Sequence, residues 1–440
     1  MTRNAPDLPT PGVRRFLILV AILTLPFTLA LTLNLRFPFK IYELALLGAG
    51  LTCLVMFRIP TLRSASRAAV PLMFLLLWAL AVLLWHVWLP PAGLSTSGFQ
   101  SRFGPLGDGL AKILYLMLSI FGFLQMAELT YREEPRVLRW WLIGAVAAAL
   151  YSWYLFAASA LGVAPLLLPG IESPQLFAFA DKVVIRSGTF EEGNYLGLFL
   201  VTSTMVALYA KRLLPALFLG ASVLVSFSTI NFTVLTLISA LLLWQGSARM
   251  SAGRRLAAIT AGLLALTGLG VLLVGTGYVE SVVAAKLVGS SAISRIERLG
   301  LAVSGLHMFA DHPLAGVGIS QYGYLYNAYE YLSLGALSVF FDEKRIPGNV
   351  YVELLAELGI VGFVLFVAFL VRVYQHLRWQ EQLHLKLGFL AILLAWPAFP
   401  SYSIMFLWAF WGLIIGSSAR LEEQETRQHP VAERMLAGIH

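Results

Sequence analysis

The feature that most limits what this chain can become is the recurrence of apolar runs long enough to cross a lipid bilayer. Inside hydrocarbon no water is available to backbone N–H and C=O groups, so such runs must satisfy their own hydrogen bonds as helices. The pattern predicts spans at 16–33, 41–57, 69–89, 110–127, 138–162, 194–210, 213–227, 229–245, 256–275, 351–371, 385–398 and 402–418. The two short ones, 213–227 and 385–398, are candidates for tilted, broken or re-entrant segments. Composition agrees: 12% of residues are charged and 59% hydrophobic, against about 25% charged in soluble domains. The expected fold class is therefore all-α, a polytopic integral membrane protein with about 12 transmembrane helices.

Charge placement sets a direction. With the N-terminus cytoplasmic, 20 of the 31 Lys and Arg fall on the cytoplasmic side, including Arg14, Arg15, Arg63, Arg132, Arg136, Lys211, Arg212, Arg254, Arg372 and Arg420. Short loops rich in Lys and Arg stay inside, so both termini are expected in the cytoplasm. The net charge of +8 then follows from topology and is no nucleic-acid signal. Arg14 and Arg15 precede a run too long for the core of a cleavable signal peptide, and no A-x-A site follows it, so it reads as a retained first span. The single cysteine, Cys53, lies in an apolar run, which excludes a disulfide framework and a cysteine metal site.

The organisation that results has four parts: residues 1–275 with nine spans, a far-side loop at 276–350, three further spans over 351–418, and a cytoplasmic tail at 419–440. A connector of this length is more often functional than passive. Apolar spacing predicts a helix over residues 291–309 within it. The Gly-rich stretch 314–324 should turn, and the aromatic stretch 324–341 is expected partly at the membrane surface. Tyr322, Tyr324, Tyr326, Tyr329 and Tyr331 suit either sugar stacking or interfacial anchoring.

The far-side charges run against the bias, so each is a candidate for chemistry. Arg186 lies in a segment with Gly188 and Gly193 just before a span. It reads either as an arginine snorkelling to headgroups and paired with Glu191, or as an anion site where the glycines let backbone approach phosphate oxygens. The helix starting near Asn194 would aim its N-terminus at the same spot. Glu191 and Glu192 are either residues favoured at a helix start or a general base for a sugar hydroxyl, with Glu192 the better placed. Arg295 and Arg298 share a helix face at i and i+3; phosphate, lipid headgroups or Asp311 would relieve their repulsion. His312 precedes a proline and reads as a loop residue more readily than as a base. No His/Asp/Glu spacing suits a metal, and no phosphate-binding loop of the nucleotide-hydrolase type is present.

Three stretches together resemble the bacterial O-antigen ligase and O-antigen polymerase superfamily. They are Arg186-Ser187-Gly188-Thr189-Phe190 with Glu192-Gly193-Asn194; Ser294-Arg295 with His312-Pro313-Leu314-Ala315-Gly316-Val317-Gly318; and Gly348-Asn349-Val350-Tyr351-Val352-Glu353 running to Gly359 and Gly362. The resemblance implies a GT-C-type glycosyltransferase fold and a reaction that uses no metal or other cofactor, at the periplasmic face of the inner membrane. The implied donor is a glycan on undecaprenyl diphosphate, held by Arg186 and Arg295, with Arg298, Asn194, Asn349 and His312 as further substrate-binding candidates. The acceptor is another carrier-linked unit. Membrane lipid, a chain-length regulator and a flippase are the other partners implied.

One position departs from the ligase pattern. Ligases commonly carry a histidine before the asparagine of the third stretch, where this chain has Gly348. Glycine cannot move protons, which favours a polymerase whose base lies elsewhere, at Glu192 with Glu191 beside it. The competing readings are a ligase acting on lipid A-core or protein, a transporter or flippase, and a peptidoglycan glycosyltransferase. Few ionisable residues fall inside spans, which argues against alternating access.

Overall fold

The computed structural model describes residues 12–35, 37–56, 62–91, 103–179, 182–248, 251–287, 290–333, 344–378 and 380–428. Fourteen helices and two small hairpins make up these residues. The helices are α1 (Gly12–Thr24), α2 (Ile41–Val55), α3 (Arg63–Trp88), α4 (Gly104–Leu161), α5 (Gly193–Tyr209), α6 (Leu213–Ser222), α7 (Thr229–Ala248), α8 (Ala252–Gly275), α9 (Tyr278–Leu287), α10 (Ser290–Asp311), α11 (Tyr322–Tyr329), α12 (Val350–His376), α13 (Leu383–Ala395) and α14 (Met405–Gln428). The antiparallel hairpins pair β1 (Leu33–Leu35) with β2 (Phe37–Phe39), and β3 (Leu176–Phe179) with β4 (Lys182–Ile185).

Among the described residues, α3, α4 and α12 are long and apolar enough to cross a membrane by length and composition. Shorter apolar helices, including α2, α5 and α13, stand beside them. Both faces of α3 are apolar: Leu72, Leu75, Ala79 and Leu83 are buried, while Met73, Phe74 and Leu77 are exposed. A helix with apolar residues on its outer face needs lipid rather than water around it. The protein is a mostly helical membrane protein.

Each expected span meets a helix, but three boundaries differ for physical reasons. The first helix ends at Thr24 rather than running to residue 33, because Pro26 offers no N–H to continue it. Residues 29–31 instead donate backbone hydrogen bonds to Thr189 O and Pro169 O. The expected break between 127 and 138 is narrower than its bounds: α4 is two helices that meet at Glu133, whose φ −140° and ψ 42° are non-helical, two residues before Pro135. At the other end of the chain α14 continues to Gln428, ten residues into the expected tail.

The basic residues assigned to the cytoplasmic side are extensively paired. Arg14 is buried and bonds Glu128 at 2.9 Å and Gln125 at 2.6 Å, and Arg15 reaches Glu133 at 2.7 Å. A charge taken this far from water requires such partners.

The helix most consequential for the site is α12. Gly359 interrupts it with φ 65° and ψ −170°, which breaks the hydrogen-bond ladder inside an apolar segment. The stretch after α10 repairs the break. Val317 and Gly318 donate N–H bonds to the carbonyls of Ala356 and Glu357 at 2.8 and 2.9 Å, and Ile360 N donates to Pro313 O at 2.8 Å. Trp78 Nε1 takes the Leu358 carbonyl at 2.9 Å. Irregular backbone is tolerated among membrane helices only where protein satisfies it in this way. A Cβ at 359 would collide with the Leu314 carbonyl, so only glycine fits.

The tyrosines of the large loop are not the surface array expected of them. Tyr322, Tyr324 and Tyr326 are buried. Tyr322 donates to Leu301 O at 2.6 Å, and Tyr324 donates to Asp108 at 2.8 Å. The rings of Tyr322 and Tyr326 pack with Leu301, Met308 and Val317 between α10, α11 and α12. Tyr331 alone of the five is largely exposed, at 61%.

Candidate functional site

The hairpin β3–β4 delivers Arg186. Its ladder is carried one pair further by Arg186 N donating to Gln175 O at 3.0 Å. The Gln175 side chain then accepts from Gly193 N at 2.8 Å, tying the hairpin to the first turn of α5. Buried Phe177 lies under the Arg186 guanidinium, 5.8 Å from it. Arg186 Nη2 donates to Asn194 Oδ1 at 3.4 Å, whereas its Nε is buried without a hydrogen-bond partner among the described residues. Burial pushes the guanidinium down to about 10, against the opposing pull of Glu192; Arg298 pushes it the same way as burial. A desolvated, incompletely satisfied guanidinium is a strong anion receptor.

Gly193 makes this approach possible. A Cβ there would stand 2.5 Å from Arg186 Nε and 2.5 Å from the Ser226 carbonyl. Glu192 occupies the extended N-cap position of α5, and its carbonyl accepts from Tyr195 N and Leu196 N. Its carboxylate bonds Arg298 Nη2 at 3.1 Å, both side chains being mostly buried. Chain segments 106 residues apart thus meet at one ion pair. Gly348 lies against the stem of Arg298: a Cβ there would be 3.5 Å from Arg298 Cγ. The position where ligases commonly hold a histidine therefore borders this ion pair.

The remaining sequence candidates are placed as follows. Arg295, one turn before Arg298, is exposed, and so is Glu191. It is Arg298 that bonds Glu192. Glu297 turns the other way and pairs with Arg345 at 2.9 Å. Asn349 caps α12, its side-chain oxygen accepting from Tyr351 N at 3.0 Å and Val352 N at 3.3 Å. His312 closes α10, its carbonyl accepting from Gly316 N at 2.8 Å. Among the described residues no group of three or more His, Cys, Asp or Glu is arranged to hold a metal ion.

Two clusters were not singled out from the sequence. Ser228 and Asn231, at the start of α7, hydrogen-bond to Asn194. On the neighbouring helices, Lys112 bonds Glu353 at 2.6 Å and Glu357 at 2.8 Å, all three largely buried. Ser320 N also donates to Glu357 at 2.9 Å, and Lys344 pairs with Asp108, four residues before Lys112, at 2.7 Å. The sequence signal for this cluster was present: two glutamates at i and i+4 on one apolar helix demand a cation. The cluster corrects the reading that few ionisable groups lie within spans. Lys112 sits within about 12 Å of the α4 start, at 1.5 Å rise per residue, so this cluster lies near one end of that helix.

Residues 214–367 match the O-antigen ligase family model. That stretch runs from α6 into α12 and contains Arg295, Arg298, His312, Gly348 and Asn349; Arg186, Glu192 and Asn194 precede it. The superfamily resemblance read from the sequence holds for it. With the apolar helices, the match supports a membrane enzyme of the O-antigen ligase/polymerase family. No curated protein matches the chain significantly.

Proposed function

We propose that this protein is a polysaccharide polymerase of the bacterial inner membrane with a GT-C-type fold, its termini in the cytoplasm and its site at the periplasmic face. It transfers a glycan from undecaprenyl diphosphate onto a second carrier-linked repeat unit, without a metal. The observation that carries this reading is the meeting of Arg186, Arg298 and Glu192 around the start of α5.

The reaction needs three things of the protein. As the acceptor hydroxyl oxygen attacks the anomeric carbon, the bond from that carbon to the diphosphate oxygen breaks and its electron pair leaves on the diphosphate. Arg186 and Arg298 stabilise that growing negative charge, with Arg295 one turn away to extend the cationic surface. Glu192 accepts the hydroxyl proton. Without donor, Arg298 is occupied by Glu192; an arriving diphosphate competes for the guanidinium and releases the carboxylate beside the reacting centre.

Gly348 supports polymerase over ligase, since residue 348, which lies against Arg298, carries no imidazole to activate a lipid A-core hydroxyl. The test is reconstitution in liposomes with a carrier-linked repeat unit, offered alone and beside lipid A-core or protein acceptors. Lengthening of carrier-linked glycan is expected. Transfer only to lipid A-core or protein would establish a ligase, and movement of substrate across the bilayer without elongation would establish a transporter.

A further inference from the structure

We propose that Asn231 is a positioning residue that aims the Arg186 guanidinium, acting through Ser228 and Asn194. This rests on the reading of Arg186 as the receptor for the donor diphosphate.

The relay is defined by what each atom can do. Asn231 is fully buried on the first turn of α7. Its Nδ2 donates to the Asn194 backbone carbonyl at 2.8 Å and to Ser228 Oγ at 2.8 Å. A carbonyl can only accept, so this contact fixes which way the carboxamide points. Both amide hydrogens are then used. Ser228 Oγ, accepting from Asn231, spends its one hydrogen on Asn194 Oδ1 at 2.9 Å. Asn194 Oδ1 in turn receives Arg186 Nη2. Each member leaves the next a single satisfied orientation, and the last group oriented is the guanidinium.

The backbone is shaped around this chain of bonds. Gly193 and Gly197 lie one turn apart on the same face of α5. A Cβ at 193 would strike Arg186, and one at 197 would come within 2.6 Å of Asn231 Nδ2 and 2.9 Å of Ser226 Oγ. One glycine makes room for the end of the relay and the other for its origin. Phe227 adopts φ 48°, a left-handed conformation for a bulky residue, where the chain turns from the 3-10 segment Val223–Ser226 into α7. Its ring stacks on Phe177 at 4.4 Å, the same ring that underlies Arg186. The turn that presents Ser228 and Asn231 is thereby registered against the platform of the guanidinium.

A buried asparagine between membrane helices can serve as interhelical glue alone. Glue has no reason to end on an arginine, nor to leave Asn231 Oδ1 buried without a partner, as it is among the described residues. A packing residue would avoid that cost.

The experiment measures binding of a polyprenyl diphosphate to the full-length protein in detergent, with the matching polyprenol as the control ligand. Asn231→Leu keeps the volume and removes both donors; Ser228→Ala cuts the middle link with the smallest change in packing. Each is made alone and with Arg186→Ala, and thermal stability is recorded for all. Positioning predicts that each single variant weakens diphosphate binding about tenfold, the scale of one oriented hydrogen bond. In the Arg186→Ala background the same changes should have less than about a twofold further effect. Equal losses in both backgrounds, or unchanged binding for Ser228→Ala while Arg186→Ala loses it, would overturn the relay. Unchanged binding for Arg186→Ala itself would instead overturn the diphosphate reading.

Discussion

Gly193 and Arg186 occupy one space: the guanidinium Nε lies 2.5 Å from where a Cβ on residue 193 would stand. The anion site proposed at the start of α5 depends on that missing side chain. The Ser226 carbonyl is equally close to that point, at 2.5 Å, so a side chain on residue 193 would meet the guanidinium and the backbone together.

Gly193→Ala is therefore expected to act as a binding-site variant. The methyl group displaces the guanidinium and should lower elongation in liposomes roughly 100-fold, the scale of losing one preorganised charge-stabilising group. Arg186→Lys should fall in the same range, because an ammonium cannot reproduce the guanidinium's planar set of donors. If Gly193→Ala elongates glycan at the rate of the unaltered protein, the close approach has no functional weight.

Arg186 should also confer a pH dependence on donor binding. Burial lowers it to about 10, so in the free protein the cation persists through neutral pH and is lost as pH rises through 10. Diphosphate affinity is expected to be flat to about pH 9 and to fall above it. Titration of polyprenyl diphosphate binding between pH 8 and pH 10.5 measures this. An Arg186→Met variant should be no less stable thermally than the original while losing binding, because a buried cation lacking full partners costs the fold more than an apolar side chain does.

Glu192→Gln separates the two roles at the site. It cannot accept the acceptor proton and should reduce elongation by about 10²–10⁴-fold. It also relieves Arg298 of its carboxylate partner, so donor binding should stay the same or tighten. Weaker donor binding with an intact turnover rate is the outcome that would remove Glu192 as the base.

The break in α12 should be a point of stability. Gly359→Ala places a Cβ against the Leu314 carbonyl at a positive φ, and it must push apart the docked backbone of the second and third stretches. Thermal unfolding in detergent should show a loss of about 3 kcal/mol or more, as strain and lost backbone bonds combine.

Lys112→Met leaves Glu353 and Glu357 buried without their cation. A loss of about 3–5 kcal/mol is expected, the cost of breaking a buried ion pair. Adding Glu353→Gln should recover part of it. Equal stability of the single and double variants would show that the two carboxylates do not share the lysine's charge.

Much of the helical plan was legible because apolar runs of spanning length have one solution in lipid, and helices meet all twelve expected positions. The ends were less legible where a proline acts locally. Pro26 follows the early end of α1, and Pro135 follows the non-helical Glu133 at which the two halves of α4 meet. The tyrosines of the large loop misled for a related reason. Their hydroxyls find Leu301 O and Asp108 inside the protein, and composition alone does not distinguish a buried tyrosine with a partner from one at an interface.

What the sequence determined by itself was the class of environment and the identity of the unusual charges. Lipid forces helices, and a basic or acidic residue away from the loops expected in the cytoplasm stands out against an apolar background, which marked Arg186, Glu191, Glu192, Arg295 and Arg298. What only the tertiary structure decided was pairing. Arg295 and Arg298 are alike in sequence, but the packing of α10 gives Glu192 to Arg298. Asn231 looked like one polar residue in an apolar run until α7 lay against α5. Contacts between residues more than a hundred positions apart depend on how helices pack, and helix packing depends on shape at every turn rather than on periodicity along one.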